Sequence, residues 1–375
     1  MVNLSKMFGV SRTQISTWVG NIGPSRARYK KKVEKAIATG KAVQKEGKEA
    51  ALKRIEEETL EQFGVEALSR KYEPVVDWSY KHTSGSPGTP ILMLSDIHYG
   101  EFVDPEQVYN SNKFGIEICE KRIKHVFETS ANLLLSHFAH PSYEGVVLVL
   151  GGDMISGALH EDHMATDEAA PLVQCYEVAQ RLTTGIRLLA KEFKQVTIYC
   201  VAGNHGRTTR KPRSKFFAHH NLDWLAYKMI GDYIKGLKNV KVYAPNARDL
   251  NFVVAGHRYR LTHGDQFRGG DGIIGPIGPI TRGDYKKRVT ASLMPGQPEA
   301  YDTMLCGHFH TLMMLPRLIV NGSVKGYDEY AQSINCSWEP PQQALWTVHP
   351  RHGHTWHLPV LCDPDYTAHK VRDVT

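Results

Sequence analysis

The stretch T-I-Y-C-V-A-G-N-H-G-R, residues 197–207, decides how the chain is read. A β-branched, apolar run breaks off at Gly203-Asn204-His205, the pattern of a buried strand ending in a tight turn. Such a turn sets an amide oxygen and an imidazole side by side where a parallel strand opens onto a crevice. Alone, the tripeptide is no more than an ordinary turn. The same event recurs around it. Residues 91–95 run into Asp96-Ile97-His98, and residues 146–150 run into Gly151-Gly152-Asp153. Later, Leu261-Thr262 leads to His263-Gly264, and Leu305-Cys306 leads to Gly307-His308-Phe309-His310. Five times an apolar run stops at a residue type that binds metals.

Strands and helices alternate from residue 91 onward, which argues for a layered α/β domain. Strands are expected at 91–95, 146–150 and 196–202, and amphipathic helices at 116–138, 172–193 and 222–237. Shorter strands at 252–255, 258–262, 303–305 and 345–348 suggest a second sheet. In open α/β sheets ligands bind beyond the carboxyl ends of the strands. All five clusters lie at strand ends and can therefore converge.

The chain is 375 residues long, enough for a large catalytic domain plus an appendage. The expected division is 1–22, a helix-turn-helix-like segment; 23–80, a helical arm, basic then acidic; 81–90, a Ser/Gly/Pro linker; 91–362, the catalytic domain; and 363–375, a tail. No apolar run approaches the roughly 20 residues of a membrane helix, and the start lacks a signal-peptide pattern. Six scattered cysteines without C-x-x-C spacing read as reduced thiols, so a cytoplasmic location is expected, bacterial or in a phage-infected host.

The net charge of +7 is unevenly placed: residues 1–71 hold 15 Lys and Arg against 8 Asp and Glu, so the remainder is neutral. That asymmetry points to a polyanion, or else to a solvated charged helix. Within 3–19, Gly9 makes the turn and Ser11 caps a second helix with Ile15, Trp18 and Val19 on its inner face. Arg12, Thr13, Gln14 and Thr17 then face out, as DNA contacts of a recognition helix would. The chain starts too late for the helix that usually precedes such a unit, and a small packing hairpin is the other reading.

The donors at the strand ends are mixed. Asp96 and Asp153 supply carboxylates, Asn204 an amide oxygen, and His98, His263, His308 and His310 imidazoles. Such a set suits Mn²⁺, with Fe or Zn²⁺ as alternatives, better than Mg²⁺. Seven ligands with Asp153 bridging fit two divalent ions about 3.5–4 Å apart, the spacing of two-metal hydrolases.

In order and form, D-x-H, G-D, G-N-H, a later His and G-H-x-H, the set resembles the calcineurin-like metallophosphoesterase superfamily, over residues 90–362. The resemblance implies a four-layer αββα sandwich. It implies one ion held by Asp96, His98, Asp153 and His310, and a second held by Asp153, Asn204, His263 and His308. It makes His205 a catalytic residue that contacts phosphate and helps protonate the leaving group, with a metal-bridging hydroxide as nucleophile. His257 rivals His263, although Leu261-Thr262-His263-Gly264 matches the pattern better. The sequence departs from many members in having Gly206-Arg207 after G-N-H, and in lacking the extended G-D-x-x-D/H. His160 in the following H-E-D-H insert is read as facing substrate or as supporting the ligands.

Two basic loops flank the proposed site: 207–215, with Arg207, Arg210 and Lys211 as substrate contacts, and 268–288, with Arg282, Lys286, Lys287 and Arg288. Positive loops beside a phosphoester site suit a long polyanion. The expected function is a phosphodiesterase or nuclease acting on DNA, similar to the repair-nuclease branch and to phage-encoded members. The alternative is a phosphatase for a nucleotide, small phosphomonoester or phosphoprotein, with the N-terminus as a docking module.

Overall fold

In the computed structural model the chain divides into two compact units, Met1–Thr83 and Ser84–Thr375. The described residues are 88–138, 142–159, 161–268, 275–294 and 301–367, with four helical positions in the first unit, Glu34, Lys35, Ala38 and Ala50. The helix-turn-helix-like segment with Arg12, Thr13, Gln14 and Thr17 lies outside the described residues, as does His160.

Strands β1 (Thr89–Leu94), β2 (Val146–Leu150), β3 (Val196–Cys200) and β4 (Val240–Tyr243) pair in parallel. Helices α1 (Ile116–Asn132), α2 (Glu161–Thr166), α3 (Pro171–Glu192) and α4 (Leu222–Tyr233) fall between them. β1 begins two residues inside the stretch read as linker, because Thr89 and Pro90 already pair with Val348 and Thr347. The second sheet holds β5 (Leu250–Val254), β6 (His257–Leu261), β7 (Thr303–Cys306), β8 (Met313–Leu315) and β9 (Leu318–Val320), in the order β5-β6-β7-β9-β8.

The two faces of β1 explain its unbroken apolar sequence. Leu92 and Leu94 join the core formed with α1, α3 and α4, while Ile91 and Met93 join Phe252, Tyr259, Leu261, Leu305 and Ile319 between the sheets. Side chains alternate along a strand, so one buried on both faces must be apolar throughout. A third cluster, with Phe267, Ile280, Met304 and Val320, covers the outer face of the second sheet beneath α5 (Ile277–Leu293). Helices, sheet, sheet and helix make the four layers of the expected sandwich.

Two expectations are corrected. Residues 345–348 belong to the first sheet: β10 (Gln342–His349) pairs antiparallel with β1, and β11 (Gly353–Leu361) closes that edge. Hydrophobic alternation gives a strand's faces but not its neighbour. The basic stretch 268–288, read as a loop, is largely α5. Its Pro276 and Pro279 occupy the cap and first turn, where no intrahelical N–H bond is lost. The last helix, α6, spans Glu329–Ser333. Among the described residues no helix is long and apolar enough to cross a membrane.

Candidate metal centre and active site

Each proposed ligand follows the carboxyl end of a strand: Asp96 and His98 after β1, Asp153 after β2, Asn204 after β3, His263 after β6, and His308 and His310 after β7. His257 opens β6 instead and bonds Thr303 Oγ1 at 2.9 Å, which removes it as a rival.

Five of the seven sit in the left-handed region: Asp96 (φ 53°), His98 (52°), Asp153 (52°), His308 (70°) and His310 (52°). For a residue with a Cβ this costs on the order of 1–3 kcal/mol, and it persists only where the surroundings enforce it. Here they do. Asp96 N donates to Gly152 O at 3.0 Å, and the N–H groups of Ile97 and His98 both reach Asp153 O, at 2.9 and 3.1 Å. Gly203 is required next to this turn, since a Cβ there would overlap the Asp153 carboxylate and backbone N.

The side chains converge as three trios, each with donor atoms within 4.8 Å of one another: Asp96, His98 and His310; Asp153, His263 and His308; and His98, Asp153 and His205. Asp96, His98, Asp153 and His263 are buried, while Asn204, His205, His308 and His310 are half-buried and mark the open side.

The donor set fits cations on a test of hydrogen-bond logic. His263 Nδ1 lies 2.9 Å from the carbonyl of Gly151, which can only accept, so Nδ1 carries the proton. Its Nε2 then faces two oxygens, Asp153 Oδ2 at 2.9 Å and Asn204 Oδ1 at 3.1 Å. Three acceptors converging on one point need a positive charge among them. A proton can supply it: burial works against a charged ring, yet the Asp153 carboxylate pushes His263 up to about 10. A divalent ion supplies it better. Likewise His98 Nε2 and His310 Nε2 stand 3.2 Å apart, with Asp96 Oδ1 3.4 Å from the latter. Glu101 Oε2 lies 3.0 Å from His98 Nδ1, on the side away from His310. Burial, then Lys325, pushes His98 far down, and burial holds His308 near 4, so both present lone pairs at neutral pH.

His205 converges with His98 and Asp153, and its own hydrogen bonds orient it. Its N–H donates to Asp153 Oδ1 at 2.7 Å and its Nδ1–H to Ser156 O at 2.9 Å, and its ring lies edge-on to His98 at 4.5 Å. Burial holds it near 4 despite the pull of Asp153. His163 stacks on it at 5.3 Å and 25°, with Nδ1 3.2 Å from Ser156 Oγ. Both rings thus turn Nδ1 to one residue. Among the described residues of the H-E-D-H insert, His163 reaches the site.

Several supports were not legible in the sequence. Asp223, fully buried at the start of α4, accepts from Asp153 N (2.9 Å), Gly203 N (2.9 Å) and Met154 N (3.1 Å). Asn221 caps α4 and donates to Gly203 O at 2.7 Å. Read linearly, Asn221-Leu222-Asp223 is only a capped helix start. Asn321 Nδ2 donates to Ser95 Oγ (2.9 Å) and Gln343 Oε1 (2.8 Å), and Ser95 Oγ donates to Asp96 Oδ2 at 2.5 Å. Buried Lys325 bridges Glu101, at 2.8 Å, and Asp328.

The expected substrate contacts divide. Arg207 is half-buried and folds back on its own loop, bonding Thr209 O at 3.1 Å and Arg210 O at 3.3 Å. Arg210 and Lys211 are exposed. On α5, Lys287 is tied to Asp249 at 2.5 Å and Arg288 to Asp284 at 2.7 Å, which leaves Arg282 and Lys286 facing solvent.

A two-sheet sandwich carrying acid, amide and imidazole donors at five strand ends defines a metal-dependent phosphoesterase class. The chain belongs to the calcineurin-like phosphoesterase family, whose model matches residues 89–312. Membership makes it a hydrolase working with divalent metal ions. Among solved structures it is similar to Zn²⁺-complexed Vps29 of Entamoeba histolytica, at 10% identity, 72% of this chain, 99% of that chain and TM-score 0.30. It is similar also to the phosphopantetheinyl hydrolase PptH of Mycobacterium tuberculosis, at 12% identity, 76% of this chain, 100% of that chain and TM-score 0.28. No curated protein sequence matches the chain.

Proposed function

We propose that the protein is a two-metal phosphodiesterase that cleaves DNA. Asp96, His98, Asp153 and His310 hold one ion, and Asp153, Asn204, His263 and His308 hold the other. The observation that carries the metal reading is His263 Nε2 facing Asp153 and Asn204 oxygens with its own proton committed to Gly151. Mixed O/N ligation favours Mn²⁺, with Fe and Zn²⁺ behind it. When bound, such a pair supplies an activated water and neutralises phosphoryl charge.

The chain's own residues do the rest. Asp153, fixed through its backbone by Asp223, sets the spacing between the two ligand groups. His205 is oriented by Ser156 so that Nε2 points away from that carbonyl and can hand a proton to the leaving oxygen. Burial alone would leave His205 neutral, and the negative charge of an arriving phosphate raises its affinity for that proton.

DNA is favoured over a small ester by the exposed cations of 210–215 next to the Asn204-His205 turn and by the excess charge of residues 1–71. Purified protein is to be assayed for metal content, and with Mn²⁺ on single- and double-stranded DNA, a chromogenic diester and a chromogenic monoester. The expected result is diester and DNA cleavage that falls by several orders of magnitude in Asp153→Asn. Wild-type rates in that variant would refute the two-metal assignment, and turnover of the monoester alone would refute the DNA reading.

A further inference from the structure

The excursion 207–220 leaves and rejoins the site at one point. Leu222 N donates to Gly206 O at 2.6 Å, Arg207 bridges to Asn221, and Thr208 N donates to His220 O at 2.9 Å. Whatever lies along this loop starts at the Asn204-His205 turn. Its two adjacent phenylalanines are used differently. Phe217 is buried under the Arg248 guanidinium at 3.9 Å, whereas Phe216 is 71% exposed.

Exposure of Phe216 is not that of a stray ring. Its ring stacks with His219 at 5.8 Å and 21°, His219 meets Trp224 at 5.3 Å, and Lys228 Nζ lies 4.9 Å over the indole. The result is a row of aromatic rings ending in a cation. Just before Phe216 in the same loop come Arg210, Lys211, Arg213 and Lys215, all exposed. Arg210 reaches Glu161 only at 3.8 Å, and among the described residues the other three make no ion pair.

We infer that this row binds single-stranded nucleic acid, bases stacking from Phe216 along His219 while the four cations follow the backbone. The inference rests on the proposed phosphodiesterase reading and adds the form of the substrate. Cations alone would suit any polyanion, duplex included. Solvent-facing rings among them suit a strand whose bases are unpaired, since every base offers a π-face and paired bases hide theirs. A strand held there would lead its phosphates to the turn that carries His205.

The test uses the full chain and labelled oligo(dT), with a duplex of the same length for comparison. Phe216→Ala and Phe216→Ala/His219→Ala are expected to weaken single-strand binding by about 5- to 100-fold, with duplex binding and chromogenic diester turnover unchanged. Phe216→Trp is expected to restore single-strand affinity. Unchanged single-strand binding in both alanine variants would overturn the inference, as would equal loss for duplex, or no binding of nucleic acid by the wild type. The two readings fail separately. Phe216-dependent binding without any DNA cleavage would remove the nuclease and keep the strip, and cleavage indifferent to Phe216 would do the reverse.

Discussion

Replacing Asp223 by Asn exchanges one carboxylate oxygen for an NH₂ group and tests how Asp153, the proposed bridging ligand, is held. The carboxylate takes three N–H groups, those of Asp153 and Gly203 on Oδ2 and that of Met154 on Oδ1. An asparagine whose oxygen replaces Oδ2 keeps the first two bonds and turns its NH₂ against Met154 N–H. Leaving that buried donor unpaired costs about 1–3 kcal/mol. The charge matters separately, and its effect depends on metal. Without ions, burial and the neighbouring Asp153 push Asp223 up to about 7, so near neutrality its charge is opposed. Cations held by Asp153 would neutralise it, remove that opposition and make the Asp223 charge useful. Metal-free Asp223→Asn is therefore expected to lose only the about 1–3 kcal/mol of that unpaired donor, and the metal-loaded variant to lose more. Its metal affinity is expected to fall by about 10- to 100-fold, as when other partners that orient ligands are removed. At fixed Mn²⁺ that is a loss of about 1.4–2.7 kcal/mol of linked stabilisation. A melting series with and without Mn²⁺, beside a direct titration, reads both numbers. A variant that matches wild type in Mn²⁺ affinity, or that loses as much stability without metal as with it, would refute the argument.

Two further outcomes are expected. His205→Ala should retain its metal by elemental analysis while turnover drops about 10²- to 10⁴-fold, the range for general-acid help; metal loss instead would place His205 among the ligands. Asp249 is the second case: burial alone would raise it, but Lys287 at 2.5 Å and Arg260 at 2.8 Å hold it below the ordinary carboxylate range. A depressed carboxylate stabilises the fold above its unfolded value and stops doing so as pH falls through the folded one. Asp249→Asn should thus destabilise the fold at pH 7, and the gap in melting temperature from wild type should narrow as pH falls through and below the ordinary carboxylate range; a pH-independent gap would contradict this.

The candidate donors, and their places just past strand ends, are legible in the sequence alone. Apolar runs that end abruptly at Asp96, Asp153, Asn204 and His308 locate these at strand ends, because a strand buried on both faces must be apolar until it leaves the sheet, whereas His263 follows the mixed H-R-Y-R-L of β6. The paired faces of β1, Ile91 and Met93 against Leu92 and Leu94, follow from the same rule. Tertiary structure decided which strands are neighbours. β10 pairs with β1 and not with the second sheet, since its alternation fits either. It also turned Pro276 and Pro279 from loop markers into the start of α5. Above all it chose the partners of the donors. Asp223, Asn321, Gln343 and His163 act at the site across 226 residues of separation between Asn321 and Ser95, and 70 between Asp223 and Asp153. Nothing local distinguishes them from a helix cap, a strand end or a solvated turn, because a hydrogen bond between distant segments leaves no periodic trace in either one.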